Sequence, residues 1–113
     1  MACLFCKIAA KEIPAKVVLE NEHVVAFHDL NPTAPTHVLV IPRAHIVSLG
    51  ESSDDNTLAL GEVLRGARLV AEKLDLKTGG FRVVLNSGEG AGQSVLHLHA
   101  HVIAGRPLSW PPG

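Results

Sequence analysis

Three histidines in strict alternation with aliphatic residues constrain this chain more than any other stretch of it. Residues 97–103 read His-Leu-His-Ala-His-Val-Ile. A period of two is strand geometry, in which successive side chains point to opposite faces. We therefore expect the imidazoles of His97, His99 and His101 on one face and the aliphatic side chains in a core on the other.

Imidazoles on a shared face can relay protons, surround a phosphorus atom or share a metal ion. Packing alone is the plainer alternative, but three of the 7 histidines in one alternating run favour a nucleophile or an acid–base array. Imidazole is a good nucleophile toward phosphorus near neutral pH. His99 has a neighbour on each side, so we assign it the nucleophile. His101 would bond phosphate oxygens, and His37 would pair with His99 if their strands are adjacent.

A glycine-rich loop directly precedes the histidines. Residues 88–94 read Gly-Glu-Gly-Ala-Gly-Gln-Ser. Glycines leave backbone amides unshielded, so such a loop can wrap an anion, and Gln93 and Ser94 add side-chain donors. Taken alone, the loop is better explained as a plain glycine-rich turn, and it matches neither the P-loop nor the dinucleotide fingerprint. Its adjacency to the imidazoles favours a phosphate-binding role.

The chain's length and charge exclude several classes of protein. Its 113 residues suit one domain over 1–113, and 47% hydrophobic residues support a sizeable core. A net charge of −1 without a basic run argues against nucleic-acid binding. The first residues do not resemble a signal peptide, and no apolar segment approaches membrane-spanning length. We expect a cytoplasmic protein that contacts no membrane.

The pattern of apolar residues predicts an α+β fold. Strands that follow one another through short connections favour an antiparallel sheet over a doubly wound parallel one. The predicted order is a short helix near residues 3–10, a hairpin of strands 16–20 and 23–28, a strand at 37–41, a long helix from about 55 to 74, a strand at 81–86 and the histidine strand.

The only two cysteines, Cys3 and Cys6, are spaced Cys-x-x-Cys. In a cytosolic chain this spacing indicates half of a metal site or a redox pair rather than a structural disulfide.

Several segments together resemble the histidine triad superfamily. The 97–103 run resembles its signature, and residues 92–95 (Gly-Gln-Ser-Val) and 110–113 (Trp-Pro-Pro-Gly) resemble its Hint branch. Further matching segments are 12–15 (Glu-Ile-Pro-Ala), 27–30 (Phe-His-Asp-Leu), 34–37 (Ala-Pro-Thr-His) and 40–45 (Val-Ile-Pro-Arg-Ala-His). The resemblance covers nearly the whole chain.

The resemblance implies a homodimeric purine-nucleoside phosphoramidase, with the sheet extended across the dimer. Such enzymes release AMP or GMP from phosphoramidates and acyl-nucleotides through a nucleotidyl-histidine, here on His99, and catalysis needs no metal. His97, His101 and His37 match the supporting imidazoles. Ser94 matches a donor near the leaving group.

The resemblance also implies the nucleotide contacts. Asp29 matches the residue that grips the ribose hydroxyls, and Trp110 matches a tail residue that reaches the partner's active site. Asn86, Gly92 and Gln93 match contacts of the phosphate loop. The residues that match the apolar slot for the base are Phe5, Ile8, Ile13, Phe27 and Leu30.

A structural zinc site is the second implication, since zinc-carrying relatives combine two N-terminal cysteines with two histidines. The matching ligands are Cys3, Cys6, His45 and His97, a set that suits a closed tetrahedral site. If zinc binds, His97 is a structural ligand and not part of a proton relay. Two alternatives remain open: a dinucleoside polyphosphate hydrolase of the sister branch, and a nucleotide-binding scaffold with little catalysis.

Overall fold

A five-stranded antiparallel sheet forms the centre of the chain. The computed structural model describes residues 3–113; Met1 and Ala2, which fall within the predicted domain, lie outside the described residues. The strands lie in the order β1-β2-β3-β5-β4. The helices and strands are α1 (Leu4–Ala9), β1 (Val17–Glu20), β2 (Val24–His28), β3 (Thr36–Pro42), α2 (Thr57–Lys73), β4 (Phe81–Val84) and β5 (Ala100–Ala104). The predicted α+β antiparallel fold is confirmed.

The long helix α2 covers one face of the sheet because its apolar residues recur at helical spacing. Val63, Ala67 and Val70 are buried against the aliphatic side chains of β2, β3 and β5. A glycine sets the close approach, since a Cβ added at Gly66 would lie 2.8 Å from Cγ1 of Val40. This face of the sheet is the main hydrophobic core.

The opposite face of the sheet carries the short helix α1 and the histidines. Phe5 of α1 is buried with Phe27 and Leu39 in a second, smaller core. Arg43 fastens the helix, because its guanidinium donates to the carbonyl of Ala9 at the end of α1 and pairs with Glu20 of β1. The sheet therefore separates a purely aliphatic layer from a layer of aromatic rings and imidazoles.

The histidine run is only partly a strand, which corrects the predicted bounds. β5 begins at Ala100, paired with Val40. The reason is tertiary: the backbone N–H of Leu98 donates to the carbonyl of Ile46 instead of joining a ladder. The predicted alternation still holds, because Leu98, Ala100 and Val102 enter the main core, while rings of the alternate histidines meet α1.

Over residues 3–113 the helices are too short or too polar to cross a bilayer.

Candidate active site and metal centre

Two imidazoles on adjacent strands form a hydrogen-bonded pair, which we call the histidine relay: His37 of β3 and His101 of β5. The backbone N–H of Thr33 donates to Nδ1 of His37 at 3.1 Å, so the ring proton of neutral His37 lies on Nε2. That Nε2 is 2.8 Å from Nδ1 of His101 and donates to it. The remaining proton of neutral His101 therefore lies on its Nε2, which is left free to donate.

His99 is oriented by the main chain of a neighbouring histidine. Its Nδ1 lies 2.8 Å from the carbonyl oxygen of His97. A carbonyl can only accept, so Nδ1 of His99 carries the proton and Nε2 carries the lone pair. Phe5 packs edge-on against the ring, with centroids 5.1 Å apart. The side chain is thus fixed with an unprotonated nitrogen, as a nucleophile requires.

The expected pairing of His37 with His99 is wrong, because the hydrogen-bond partner of His37 is His101. Register explains this: His101 lies opposite Leu39, two residues from His37 on the same face of β3. Asp29 adds a carboxylate oxygen 3.5 Å from Nε2 of His37, while its other oxygen accepts from the N–H of Asn31.

The environment of His101 keeps its ring neutral near pH 7. Burial, together with the neighbouring rings of His99 and His37, lowers the pKa of His101 to about 4, although the Asp29 carboxylate opposes the shift. A neutral His101 is consistent with the single proton on Nε2 inferred from its hydrogen bonds.

A cleft of about 290 Å³, here called the main cleft, opens beside these imidazoles. His99 and His101 line it, as do Asp29 and Ser94. All five residues that the resemblance placed around a base also line it: Phe5, Ile8, Ile13, Phe27 and Leu30. Among them Leu30 is 88% exposed, so it lies at the rim. The cleft joins an apolar lobe to the imidazoles.

The glycine-rich loop is fastened by Gln93, which corrects its assignment as a free donor. The Gln93 amide nitrogen donates to the carbonyls of Val47 and Val95, and its oxygen accepts from the N–H of Gly88. The side chain is therefore committed to holding the loop. Positive φ values of 90° at Gly88 and 96° at Gly92 allow the tight turn.

Of the three other residues predicted at this loop, Ser94 and Gly92 are exposed and Asn86 is half-buried. Ser94 is exposed, and its hydroxyl has no hydrogen-bond partner within residues 3–113. Asn86 lies beside the loop, since a Cβ built on Gly92 would be 3.9 Å from its amide nitrogen. The loop thus presents Ser94 to the main cleft.

The four predicted metal ligands converge on one point, here called the Cys/His cluster. One ligand atom each from Cys3, Cys6, His45 and His97 lies within 4.8 Å of the others. Nδ1 of His97 is 3.4 Å from Sγ of Cys3 and 3.2 Å from Nδ1 of His45. Two sulfurs and two imidazole nitrogens are the ligand set of tetrahedral structural zinc sites.

The protonation of His97 fits metal binding. Its Nε2 lies 2.8 Å from the carbonyl oxygen of Pro42 and donates to it, which leaves the lone pair on Nδ1 facing the cluster. Burial and the nearby His45 and His99 lower the pKa of His97, opposed by the Pro42 carbonyl. Burial and Cys3 raise the pKa of the Cys6 thiol, so a cation must displace that proton.

Comparison with known proteins identifies the family. The sequence profile of the HIT domain matches residues 10–108. The chain belongs to the HIT domain family. A 14 kDa zinc-binding protein of Zea mays is 45% identical to this HIT protein, over 97% of this chain and 87% of its own length.

Solved structures of other family members share the fold. A HIT family hydrolase from Legionella pneumophila superposes with a TM-score of 0.95 at 46% identity, covering 99% of this chain and all of that one. A histidine triad protein from Clostridium difficile gives a TM-score of 0.92 at 42% identity, over 96% of this chain and 95% of its own. The predicted superfamily is therefore confirmed.

Some contributors to the site of this HIT protein were not predicted. Thr33 sets the tautomer of His37 through its backbone, and the Pro42 carbonyl sets that of His97. His28, which was not among the predicted site residues, lines the main cleft with Leu39 and Val95. The sequence could have indicated His28 only through its adjacency to Asp29. The contacts of Thr33 and Pro42 could not be predicted, because a backbone group is the same in every residue type.

Proposed function

We propose that this HIT protein is a nucleoside phosphoramidase of the Hint branch. It would cleave P–N and acyl-phosphate bonds of purine nucleotides through a nucleotidyl intermediate on His99. The observation that carries this proposal is the unprotonated Nε2 of His99 in a cleft, enforced by the 2.8 Å hydrogen bond from its Nδ1 to the His97 carbonyl. The Legionella relative described above is named a hydrolase, which agrees.

In the first step, the lone pair on Nε2 of His99 attacks phosphorus and the bond to the leaving nitrogen breaks. The leaving nitrogen takes the proton of the Ser94 hydroxyl. Solvent then returns a proton to the Ser94 oxygen, because Ser94 is exposed. The nucleotidylated ring is an imidazolium, and its Nδ1–H remains bonded to the His97 carbonyl. Nε2–H of His101 donates to a phosphate oxygen.

In the second step, water attacks phosphorus and the P–Nε2 bond breaks. Nε2 of His99 regains its lone pair, one water proton passes to solvent and the nucleoside monophosphate leaves. Neutral His101, with its pKa lowered to about 4, keeps its Nε2 proton through both steps. The apolar lobe of the main cleft would hold the base, and Asp29 at its edge would accept bonds from ribose hydroxyls.

The Cys/His cluster fits a structural zinc ion, as the name of the maize relative indicates for that protein. Cys3 and Cys6 belong to α1 and its N-cap, whereas His45 and His97 follow β3 and precede β5. A zinc ion there would tie α1 to the sheet and hold Phe5 against His99. In this proposal His97 is a ligand, and its carbonyl alone serves catalysis.

A homodimer with a continuous sheet is part of the proposal. β4 lies at one end of the strand order, and its Phe81 and Val83 remain 38% and 36% exposed because α2 packs on β2, β3 and β5. An apolar edge strand is a template for pairing with a second chain. Trp110, exposed in one chain, would then reach the partner's cleft.

Intact-mass spectrometry tests the proposed chemistry. Protein mixed with adenosine phosphoramidate should gain the mass of one adenylyl group at early times, and peptide mapping should place it on His99. His99→Asn should form no adduct yet still bind AMP. A His99→Asn protein that turns over the substrate would overturn the assignment. Rapid turnover of diadenosine triphosphate with none of the phosphoramidate would favour the sister-branch hydrolase.

A further inference from the structure

A second cavity adjoins the main cleft and shares part of its lining. It has a volume of about 560 Å³, and we call it the side groove. Its apolar wall consists of Leu4, Val47, Val95 and Leu96. Leu96 is 62% exposed and Leu4 48% exposed. Exposed aliphatic side chains gathered in one concave surface mark a binding site more often than scattered ones do.

The side groove and the main cleft are continuous. Leu4, Ser94 and Val95 line both cavities. Ser94 therefore stands at the junction, with its hydroxyl unbonded to the rest of residues 3–113. A molecule with its base in the apolar lobe and its phosphorus beside His99 has the side groove as its continuation past Ser94.

The reaction geometry determines which part of a substrate would enter the side groove. In phosphoryl transfer the attacking and leaving atoms lie roughly in line through phosphorus. The proposed function places the nucleoside in the lobe of Phe27 and Ile13, so the adjoining space beyond Ser94 is left for the group that departs.

The lining chemistry selects the class of that group. No Asp, Glu, Lys or Arg of the described chain lines the side groove; its polar members are Ser94 and the Cys/His cluster residues Cys3, Cys6 and His45. A charged substituent would lose hydration there without gaining an ionic partner, whereas an apolar one would cover Leu96 and Val47.

We propose that the side groove is the leaving-group subsite, selecting nucleoside phosphoramidates whose amine carries an apolar chain or ring. This inference depends on the proposed phosphoramidase function and adds the substrate class. The groove discriminates against amines that carry a second charge, because the structure offers them no counter-ion there.

Two substrates of matched reactivity test the proposal. Adenosine phosphoramidates of n-pentylamine and of 1,5-diaminopentane, the latter linked through one nitrogen, differ mainly by a distal ammonium group. Wild-type protein should show a kcat/KM at least about 10-fold higher for the pentylamine compound, in the range that small changes in an apolar pocket produce. Equal kcat/KM values would overturn the proposal.

A charge introduced into the side groove should reverse the preference. Leu96→Glu should favour the diaminopentane compound, and Val47→Glu should do the same if Leu96→Glu does not fold. Leu58→Glu is the matched control, because Leu58 is 65% exposed on α2 and lies outside both cavities. The control should keep the wild-type ratio. An unchanged ratio in folded Leu96→Glu and Val47→Glu would also overturn the proposal.

Unsubstituted adenosine phosphoramidate separates the two levels of inference. If wild-type protein cleaves it and shows equal kcat/KM for the two amine compounds, the leaving-group subsite is wrong and the proposed function stands. If wild-type protein cleaves none of the three, the proposed function itself is wrong. Occupation of the groove by an apolar segment of a second copy would also give equal kcat/KM values, and so counts against the proposal.

Discussion

Nδ1 of His99 lies 2.8 Å from the carbonyl oxygen of His97. The same His97 directs its Nδ1 lone pair into the Cys/His cluster while its Nε2–H is bonded to Pro42. One residue thus contributes its ring to the Cys/His cluster, the proposed metal centre, and its backbone to the proposed nucleophile. A disturbance of the metal centre is expected to reach His99 through a single residue.

Metal removal should therefore weaken both stability and nucleotide binding. We expect about one zinc per chain by elemental analysis, and Cys6→Ser should abolish it. Loss of the metal should cost at least about 1 kcal/mol, a Tm decrease of roughly 4 °C or more. AMP affinity, measured by calorimetry, should fall because Phe5 is carried by α1. EDTA is the control: an equal Tm decrease in Cys6→Ser on adding EDTA would place the metal elsewhere.

The histidine relay should matter for rate more than for binding. His37→Ala removes the proton that fixes the tautomer of His101, so we expect kcat for a phosphoramidate to fall about 100-fold, as misplacement of a catalytic group does. KM should change little. His23→Ala is the matched control, because His23 lies near Glu22 at the surface. A His37→Ala enzyme with unchanged kcat would remove the relay from the mechanism.

His101 should make stability depend on pH between about 4 and 6.5. In the folded chain its pKa is about 4, because burial and the rings of His99 and His37 lower it. In the unfolded chain its pKa is about 6.5. The unfolded chain therefore binds the proton first as pH falls. The stability contributed by this residue is complete above pH 6.5 and is lost toward pH 4, by about 1–3 kcal/mol after allowance for solvent screening of the half-buried ring.

Urea denaturation at several pH values measures this loss. His101→Gln should show a shallower decrease in unfolding free energy over the same interval, since carboxylates such as Asp29 titrate in both proteins. Identical pH profiles for the two proteins would show that His101 is protonated equally in both states.

The contact between α2 and β3 gives a stability prediction with an internal control. Gly66→Ala should destabilise the fold by about 1–3 kcal/mol, because the new Cβ would lie 2.8 Å from Val40. Gly61→Ala, in the same helix with nothing within 4 Å, should stabilise it by about 0.5–1 kcal/mol. Equal effects in thermal unfolding would show that helix propensity alone decides.

The proposed homodimer depends on the β4 edge. Val83→Lys should shift the protein toward monomer in sedimentation equilibrium, since a lysine there opposes strand pairing. Val17→Lys is the matched control, because Val17 lies on β1 at the other end of the sheet and is 45% exposed. A monomeric Val17→Lys with a dimeric Val83→Lys would move the interface to the opposite edge.

Local sequence patterns were enough to predict much of the fold and many of the residues at the candidate site. The alternation at residues 97–103 predicted which side chains enter the core, because a two-residue period needs no tertiary information. The start of β5 was not predictable, since it depends on Leu98 donating to Ile46, more than fifty residues away in sequence. The partner of His37 likewise depends on strand register.

Backbone partners explain the remaining gaps. The tautomers of His37, His97 and His99 are set by Thr33 and by two carbonyls, and a carbonyl belongs to every residue type. Gln93 was expected to donate to a bound anion because it follows the glycine-rich loop and precedes the imidazoles. The hydrogen bond from its amide nitrogen to the Val47 carbonyl depends on the folded structure of the loop and could not be predicted from the sequence.

Helix α1 is 6 residues long, too short to persist in water without external contacts. Yet it supplies Phe5 to the proposed catalytic pocket and bears a thiol of the Cys/His cluster. A chain that keeps this architecture without both thiols would depend more heavily on the burial of Phe5 and on the hydrogen bond from Arg43 to Ala9 to hold its amino-terminal helix. With the proposed zinc ion bound, the two cysteines would link to the sheet a segment that could not fold alone.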